Sequence, residues 1–184
     1  MSVPASRQRW LRVRKATADD ADTLAALLAA YLRESYPDHS GSSPEQLRRD
    51  VLRERSLHQV LLAESRDTAV GFVAWDFVYD MHWATSGAQI ADLFVIPSYR
   101  GLAVSLALIA SAAAEVLANG GGFLRGGAYD RESTRRSYAR VAAVHPSGDT
   151  YLSARAFRRV AELADLPIRE MFRRLPPVEW NFTD

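Results

Sequence analysis

The chain has 184 residues, 48% of them hydrophobic, with 23 basic against 22 acidic side chains and a formal net charge of +1. That size suits one globular domain with a sizeable core, and the near-neutral balance excludes a global field of the kind that gathers nucleic acid or membrane. Cysteine is absent, which excludes disulfides, thiolate metal sites and a cysteine nucleophile, and the histidines His39, His58, His82 and His145 show no metal-ligand spacing.

The opening MSVPASRQRWLRVRK is basic but has no apolar signal segment, and the longest uncharged run, Leu102 to Ala114, is too short and alanine-rich to cross a bilayer. A cytoplasmic protein is expected. Leu11 to Lys15 reads as a strand, and Thr17 followed by Asp20 as a capping box. Leu24, Leu27, Leu28, Tyr31 and Leu32 then form one apolar stripe, predicting a helix that ends near Tyr36 and Pro37. After the polar loop DHSGSSP, Pro44 suits the first turn of a second helix to about Arg53.

Gln59 to Glu64 reads as a strand, Ser65 to Thr68 as a turn, and Ala69 to Trp83 as a longer strand of period two. Val73, Trp75, Phe77, Tyr79, Met81 and Trp83 are expected on one face, and Ala74, Asp76, Val78, Asp80 and His82 on the other. A strand follows over Ile90 to Ile96, and a helix over Gly101 to Asn119, stopped by Gly120, Gly121 and Gly122. Phe123 to Tyr129 reads as a strand, Arg131 to Val141 as a helix, and Thr150 to Leu152 as a short strand before a helix capped by Ser153.

The order is βααβββαβαβα, an α+β fold whose central mixed, mostly antiparallel sheet is flanked by helices. The unit around Gly101 requires a crossover between parallel strands. Residues 1–184 are expected to form one domain. Within it 153–184 would be a helical extension, packed on the sheet's end or on the second subunit of a homodimer.

The run DLFVIPSYRGLAVSLALI, Asp92 to Ile109, joins a strand, an Arg-Gly turn and a long helix. Such a turn presents backbone N–H groups, and the helix behind it adds its unpaired first-turn donors and the positive end of its dipole. The ligand expected there is a phosphorylated cofactor, although Arg-Gly also serves simply to end a strand and begin a core helix.

The run resembles the acyl-CoA pyrophosphate motif of the GNAT N-acetyltransferase superfamily, Arg-Gly-x-Gly-x-Gly/Ala after a hydrophobic strand and a proline. Pro97, Arg100 and Gly101 fit; Ala103 and Ser105 stand where the family usually has Gly and Gly or Ala. Ala103 is expected in helical φ and ψ, so that its methyl costs only proximity to the phosphate. Ser105 would add a hydroxyl donor. The element order resembles the same fold from VRKATADDADTLAALL onward, and only residues after Leu152 look added.

The resemblance implies transfer of an acetyl group from acetyl-CoA to a primary amine by direct attack in a ternary complex, with no metal. It gives Asp92 the acidic position that accepts the amine proton, and the amides near Leu93, Phe94 and Val95 the pantetheine arm. Arg100, Gly101, Leu102, Ala103, Val104 and Ser105 would hold the pyrophosphate. Tyr138, in STRRSYARVAA, would protonate the leaving thiolate, a phenol of pKa about 10 being protonated at neutral pH. Arg131 replaces the usual Asn there, and Ala142 and Ala143 the usual Gly-Phe.

The family builds its acceptor site from the first two helices and the long strand, which implicates Tyr31, Trp75, Asp76, Phe77 and Tyr79, with Asp80, Glu34, Asp38 and Trp83 nearby. His82 is a secondary base candidate. A two-faced core strand explains the aromatics as well, and a strand-closing Asp and a half-buried helix Tyr explain Asp92 and Tyr138. The partner expected is a small-molecule or peptide amine. A GNAT-like module acting through acyl-CoA binding or a protein partner stays open. The C-terminal SARAFRRVAELADLPIREMFRRLP makes a poor nucleic-acid helix pair, because Glu162, Asp165 and Glu170 interrupt its basic residues.

Overall fold

The computed structural model describes residues 10–127, 142–144, 149–164 and 166–175. The elements are β1 (Arg12–Lys15), α1 (Ala21–Ser35), α2 (Pro44–Gln46, continued by a wide turn over Leu47–Val51), β2 (His58–Ser65), β3 (Thr68–Asp80), β4 (Thr85–Val95), α3 (Val104–Ala118), β5 (Phe123–Gly127), β6 (Ala143–Val144), β7 (Asp149–Ser153), α4 (Ala154–Ala161) and α5 (Ile168–Arg174). The described strands form one mixed sheet in the order β1-β2-β3-β4-β5-β7-β6, in which only β4 and β5 pair in parallel.

Each face of the sheet buries its own core. Leu24, Leu27 and Tyr31 of α1 and Leu47 pack on Val60, Leu62, Phe72, Ala74 and Phe94. On the other face α3 packs on Leu61, Ala63, Val73, Trp75 and Leu124. The two sets alternate along β2 and β3, as a pleated strand covered on both sides requires. α3 is buried on more than one side, Val104, Leu106, Leu108, Ile109 and Val116 sharing its buried surface with Ala107, Ala110, Ala112 and Ala113.

The entry to α1 is held by charge. The Asp20 carboxylate accepts from the Thr17 N–H at 2.7 Å and the Thr17 hydroxyl at 3.0 Å. Arg14 grips the same carboxylate through Nη1 at 2.8 Å and Nη2 at 2.7 Å, while its Nε donates to Glu64 at 2.8 Å. Ser43 and Gln46 form the reciprocal cap of α2, Ser43 N–H to Gln46 Oε1 at 2.8 Å and Gln46 N–H to Ser43 Oγ at 3.3 Å.

Four expectations change. The long strand stops at Asp80 instead of Trp83, since Asp80 Oδ1 accepts from the amides of His82 (3.0 Å) and Trp83 (3.2 Å) and closes a hairpin turn. β4 begins at Thr85, five residues before Ile90, because TSGAQ pairs in register with β3 despite its weak strand propensity. α3 begins at Val104 rather than Gly101, behind a loop with two left-handed residues. The strand β6 was not anticipated. The expected helix over 131–141 and the end of the strand to Tyr129 lie outside the described residues.

The segment after Leu152 is also no peripheral addition. Phe157, Val160 and Leu163 are fully buried and join the α3-side core, together with Met171 of α5.

Candidate active site at the parting of β4 and β5

β4 and β5 touch only briefly. Ala88 pairs Leu124 and Gln89 pairs Arg125, whereas β4 runs on to Val95 with its other edge still bonded to β3. The cause lies in β4 itself: Ala74 faces Asp92 and Trp75 faces Ile90, so Ala91 is an extra, bulged residue. A bulge bends its strand and re-aims the side chains beside it. Below the parting Gly87 has no side chain because a Cβ there would sit 2.4 Å from the Phe123 ring, which lies across it and closes the sheet. A wedge thus opens between β4 and β5, with backbone groups of Ile90–Val95 along one wall.

Asp92 follows the bulge and projects on the α1 face. Burial pushes its carboxyl above the ordinary carboxylate range, and the nearby Asp76 charge adds to the rise; a hydrogen bond from Tyr31 and the attraction of His58 oppose it. His58, on β2, sits with Nδ1 at 2.8 Å from Asp76 Oδ1. Since an ionised carboxylate only accepts, it is His58 Nδ1–H that donates across the pair. Tyr31, His58, Asp76 and Asp92 therefore meet from four elements. His58 was passed over in the sequence because its partner is 18 residues away; a histidine two positions before the apolar Val60 and Leu62 of the same strand face was the available signal.

Other candidates separate. Trp75 is fully buried on the α3 face, its indole N–H without a partner among the described residues, so it is a core residue and no acceptor-site wall. Phe77 and Tyr79 alternate onto that same face, exposed beyond the end of α3, and Trp83 lies in the hairpin turn. His82 is in that turn too, its side chain 95% exposed, beyond Asp80, which is itself about six strand positions or about 20 Å from the level of Asp92; it is no base for the same proton. Asp38 is exposed in the loop after α1. Tyr138, Arg131, Arg135, Arg136 and Arg140 lie outside the described residues.

The anion loop also differs from expectation. Gly101 has φ 76° and open space where a Cβ would be, and Ala103 has φ 62° and ψ 19°, left-handed rather than helical. Ala103 is 8% exposed and belongs to the α3-side core, so its methyl turns inward. The departure from glycine costs backbone strain, of order 1 kcal/mol for an alanine in that region, and leaves the ligand's side of the loop clear. Leu102 is half-exposed and Val104 buried, which confines Val104 to a backbone role. Arg100 is already engaged: Nε donates to the Val95 carbonyl at 2.9 Å, Nη1 to Glu34 at 2.9 Å, Nη2 to the other Glu34 oxygen, and the guanidinium lies 5.7 Å from the Phe94 ring centroid.

The sheet parted at a bulged β4, followed by an anion loop and a long helix, defines the acyl-CoA N-acyltransferase fold. The Acetyltransferase (GNAT) family matches residues 22–141, and the chain belongs to that family. Among solved structures it is similar to a ribosomal-protein-alanine N-acetyltransferase from Brucella melitensis biovar Abortus 2308, at 23% identity and TM-score 0.61 over 74% of this chain and 93% of that one. An integron cassette protein from V. cholerae shares 18% identity at TM-score 0.64, over 83% and 98%. The paia N-acetyltransferase from Thermoplasma acidophilum, in complex with coenzyme A, shares 16% identity at TM-score 0.60, over 78% and 99%. At such identities the likeness is one of fold. No curated protein sequence matches the chain significantly. Among the described residues no cluster of three His, Asp or Glu side chains is placed to hold a metal ion, and no helix is long and apolar enough to cross a membrane.

Proposed function

We propose that the protein is an N-acetyltransferase that moves the acetyl group of acetyl-CoA to a primary amine by direct attack in a ternary complex. The observation that carries this reading is Asp92, a carboxylate of raised pKa at a bulge where two parallel strands part. The groups present suit such a donor: the β4 stretch Leu93, Phe94 and Val95, whose Leu93 and Val95 amides alternate onto the outer edge while Phe94 bonds toward β3, then a loop of Gly101, Leu102 and Ala103 running into the first-turn amides of Val104 and Ser105. Acetyl-CoA, when bound, supplies the activated acetyl thioester. Asp92 takes the proton of the acceptor ammonium, and Tyr31 holds that carboxyl in place. A carboxyl titrating nearer neutrality is the better proton acceptor once ionised. Tyr138 is assigned return of a proton to the departing thiolate.

Arg100 argues for a second reading. A guanidinium spent on Glu34 and Val95 is less available to phosphate than the family pattern implies, which suits a module that binds a protein partner without turnover. Calorimetry with acetyl-CoA, followed by thiol release over a panel of amines, separates the two. Micromolar binding and release are expected; no binding by acetyl-CoA, CoA or longer acyl-CoAs overturns the enzyme reading.

A further inference from the structure

The bulge that aims Asp92 also exposes a row of polar side chains straight across the sheet. His58 faces Asp76, Asp76 faces Gln89, and Gln89 faces Arg125, one position on each of β2, β3, β4 and β5. Their neighbours Leu61, Trp75, Ala88 and Leu124 belong to the α3-side core, so alternation puts the row on the α1 face with Asp92. The helices on that face do not cover it: the His58, Asp76 and Arg125 side chains are 29%, 43% and 31% exposed.

Within the row Arg125 is aimed but not consumed. Gln89 donates Nε2–H to the Ile90 carbonyl at 3.1 Å, which fixes its own oxygen to accept Arg125 Nε at 2.7 Å. Asp80 Oδ2 is 3.5 Å from Arg125 Nη1, beyond a normal N–H···O hydrogen bond, and its Oδ1 serves the hairpin turn. Among the described residues the outer edge of the guanidinium thus keeps its donors, at the last paired position before the wedge opens. Past it β5 continues as Gly126 and Gly127, and a Cβ on Gly127 would meet nothing within 4 Å, so among the described residues β5 sets no side chain in front of the fork.

Building on the acetyl-transfer reading, we infer that Arg125 is the acceptor's anion anchor and that the acceptor is a small amine bearing a carboxylate, its amine at Asp92 and its carboxylate on the Arg125 fork. A planar guanidinium with two free donor positions matches a carboxylate in bidentate geometry. With Asp76, Asp80 and Asp92 close by, a monoanion is tolerated better than a dianionic phosphate. The Asp92 and Arg125 backbones lie on the order of 10 Å apart, counted along β4 and across one strand, so the long arginine and the ligand share the gap. The neighbouring carboxylates have partners of their own, Asp76 in His58 and Asp80 in the turn amides of His82 and Trp83, which disfavours a polycationic acceptor.

The test is thiol release from acetyl-CoA by the full chain with amino acids of increasing length, from glycine through β-alanine to 5-aminovalerate and lysine, each beside its carboxamide and the matching alkylamine. One length is expected to exceed its carboxamide at least tenfold in kcat/KM, and Arg125→Gln to erase that ratio while acetyl-CoA binding measured by calorimetry is kept. Arg125→Lys, which retains the charge beside Asp80, is expected to fold normally and to restore part of the ratio. Carboxamides or alkylamines acetylated as well as the acids, or an unchanged ratio in Arg125→Gln, overturn the anchor and leave the transferase standing. Absence of both acetyl-CoA binding and thiol release overturns the transferase itself, and the anchor with it.

Discussion

Asp92 and Asp20 are both carboxylates with displaced pKa values, in opposite directions and with opposite consequences. Asp20 is drawn down to about 2 by the Arg14 guanidinium and the Thr17 donors. A group depressed in the folded state contributes stability above its unfolded pKa and loses it as pH falls through the folded one. Asp20→Asn is therefore expected to cost about 2 kcal/mol at neutral pH, and the difference from the parent to vanish between roughly pH 4 and 2, as urea unfolding across that range would show. Asp92 is raised, chiefly by burial. Its ionised form costs the fold stability above the folded pKa, and the cost is relieved as pH falls below it. Asp92→Asn should then melt no lower than the parent at neutral pH, the gap closing on acidification. As the base it should also lose about 10²- to 10⁴-fold in kcat, with the acid limb of the rate profile removed. A variant as active as the parent would take Asp92 out of the reaction.

At the scale of elements, the regular parts were legible and the irregular ones were not. Leu24, Leu27 and Tyr31 announce α1 because a helix repeats its buried face at fixed spacing, and β3 announces both its faces for the same kind of reason. The bulge at Ala91 leaves no mark in ADLFV: it is visible only in the register between β3 and β4, where Trp75 pairs Ile90 and Ala74 pairs Asp92. The polar row was hidden likewise, since His58, Asp76, Gln89 and Arg125 become neighbours only when four strands align. Ala103 shows the limit of motif reading most sharply. A glycine-to-alanine departure suggested a methyl facing the ligand, yet the residue is left-handed with its methyl in the core. Ala103→Gly relieves about 1–2 kcal/mol of strain while losing about 0.8 kcal/mol of buried methyl and adding backbone entropy worth about 0.5–1 kcal/mol. These nearly cancel, so thermal melting and acetyl-CoA calorimetry should both match the parent, within about 1 kcal/mol by the same magnitudes. A large gain in affinity would show that the methyl obstructs the ligand after all.

For the molecule as a whole, the C-terminal helices belong to the same folding unit as the sheet. Phe157 and Val160 are 0% exposed and Leu163 2%. At about 1.5–3 kcal/mol for each such side chain, removing them forfeits on the order of 6 kcal/mol, against a total stability of about 5–15 kcal/mol for a typical domain. Truncation after Leu152 is expected to leave a chain without a cooperative thermal transition; one that still melts sharply would make the helices an appendage. The charge balance of the chain, +1 overall, leaves any attraction of a charged ligand to local groups.

Helix α1 carries Tyr31 and Glu34 three residues apart, one touching Asp92 and the other holding Arg100 beside the anion loop. A donor phosphate that competes for Arg100 must draw it from Glu34, and so pulls on the same turn of helix that orients the base. On the proposed acetyl-transfer reading, donor and acceptor affinities would then be reciprocally linked: whatever factor acetyl-CoA adds to acceptor binding, the acceptor returns to acetyl-CoA. Glu34→Gln, which weakens that hold, is expected to bring both factors toward one in paired calorimetric titrations. On the proposed acetyl-transfer reading, this helix would act as a balance beam, with a cofactor on one arm and a proton on the other.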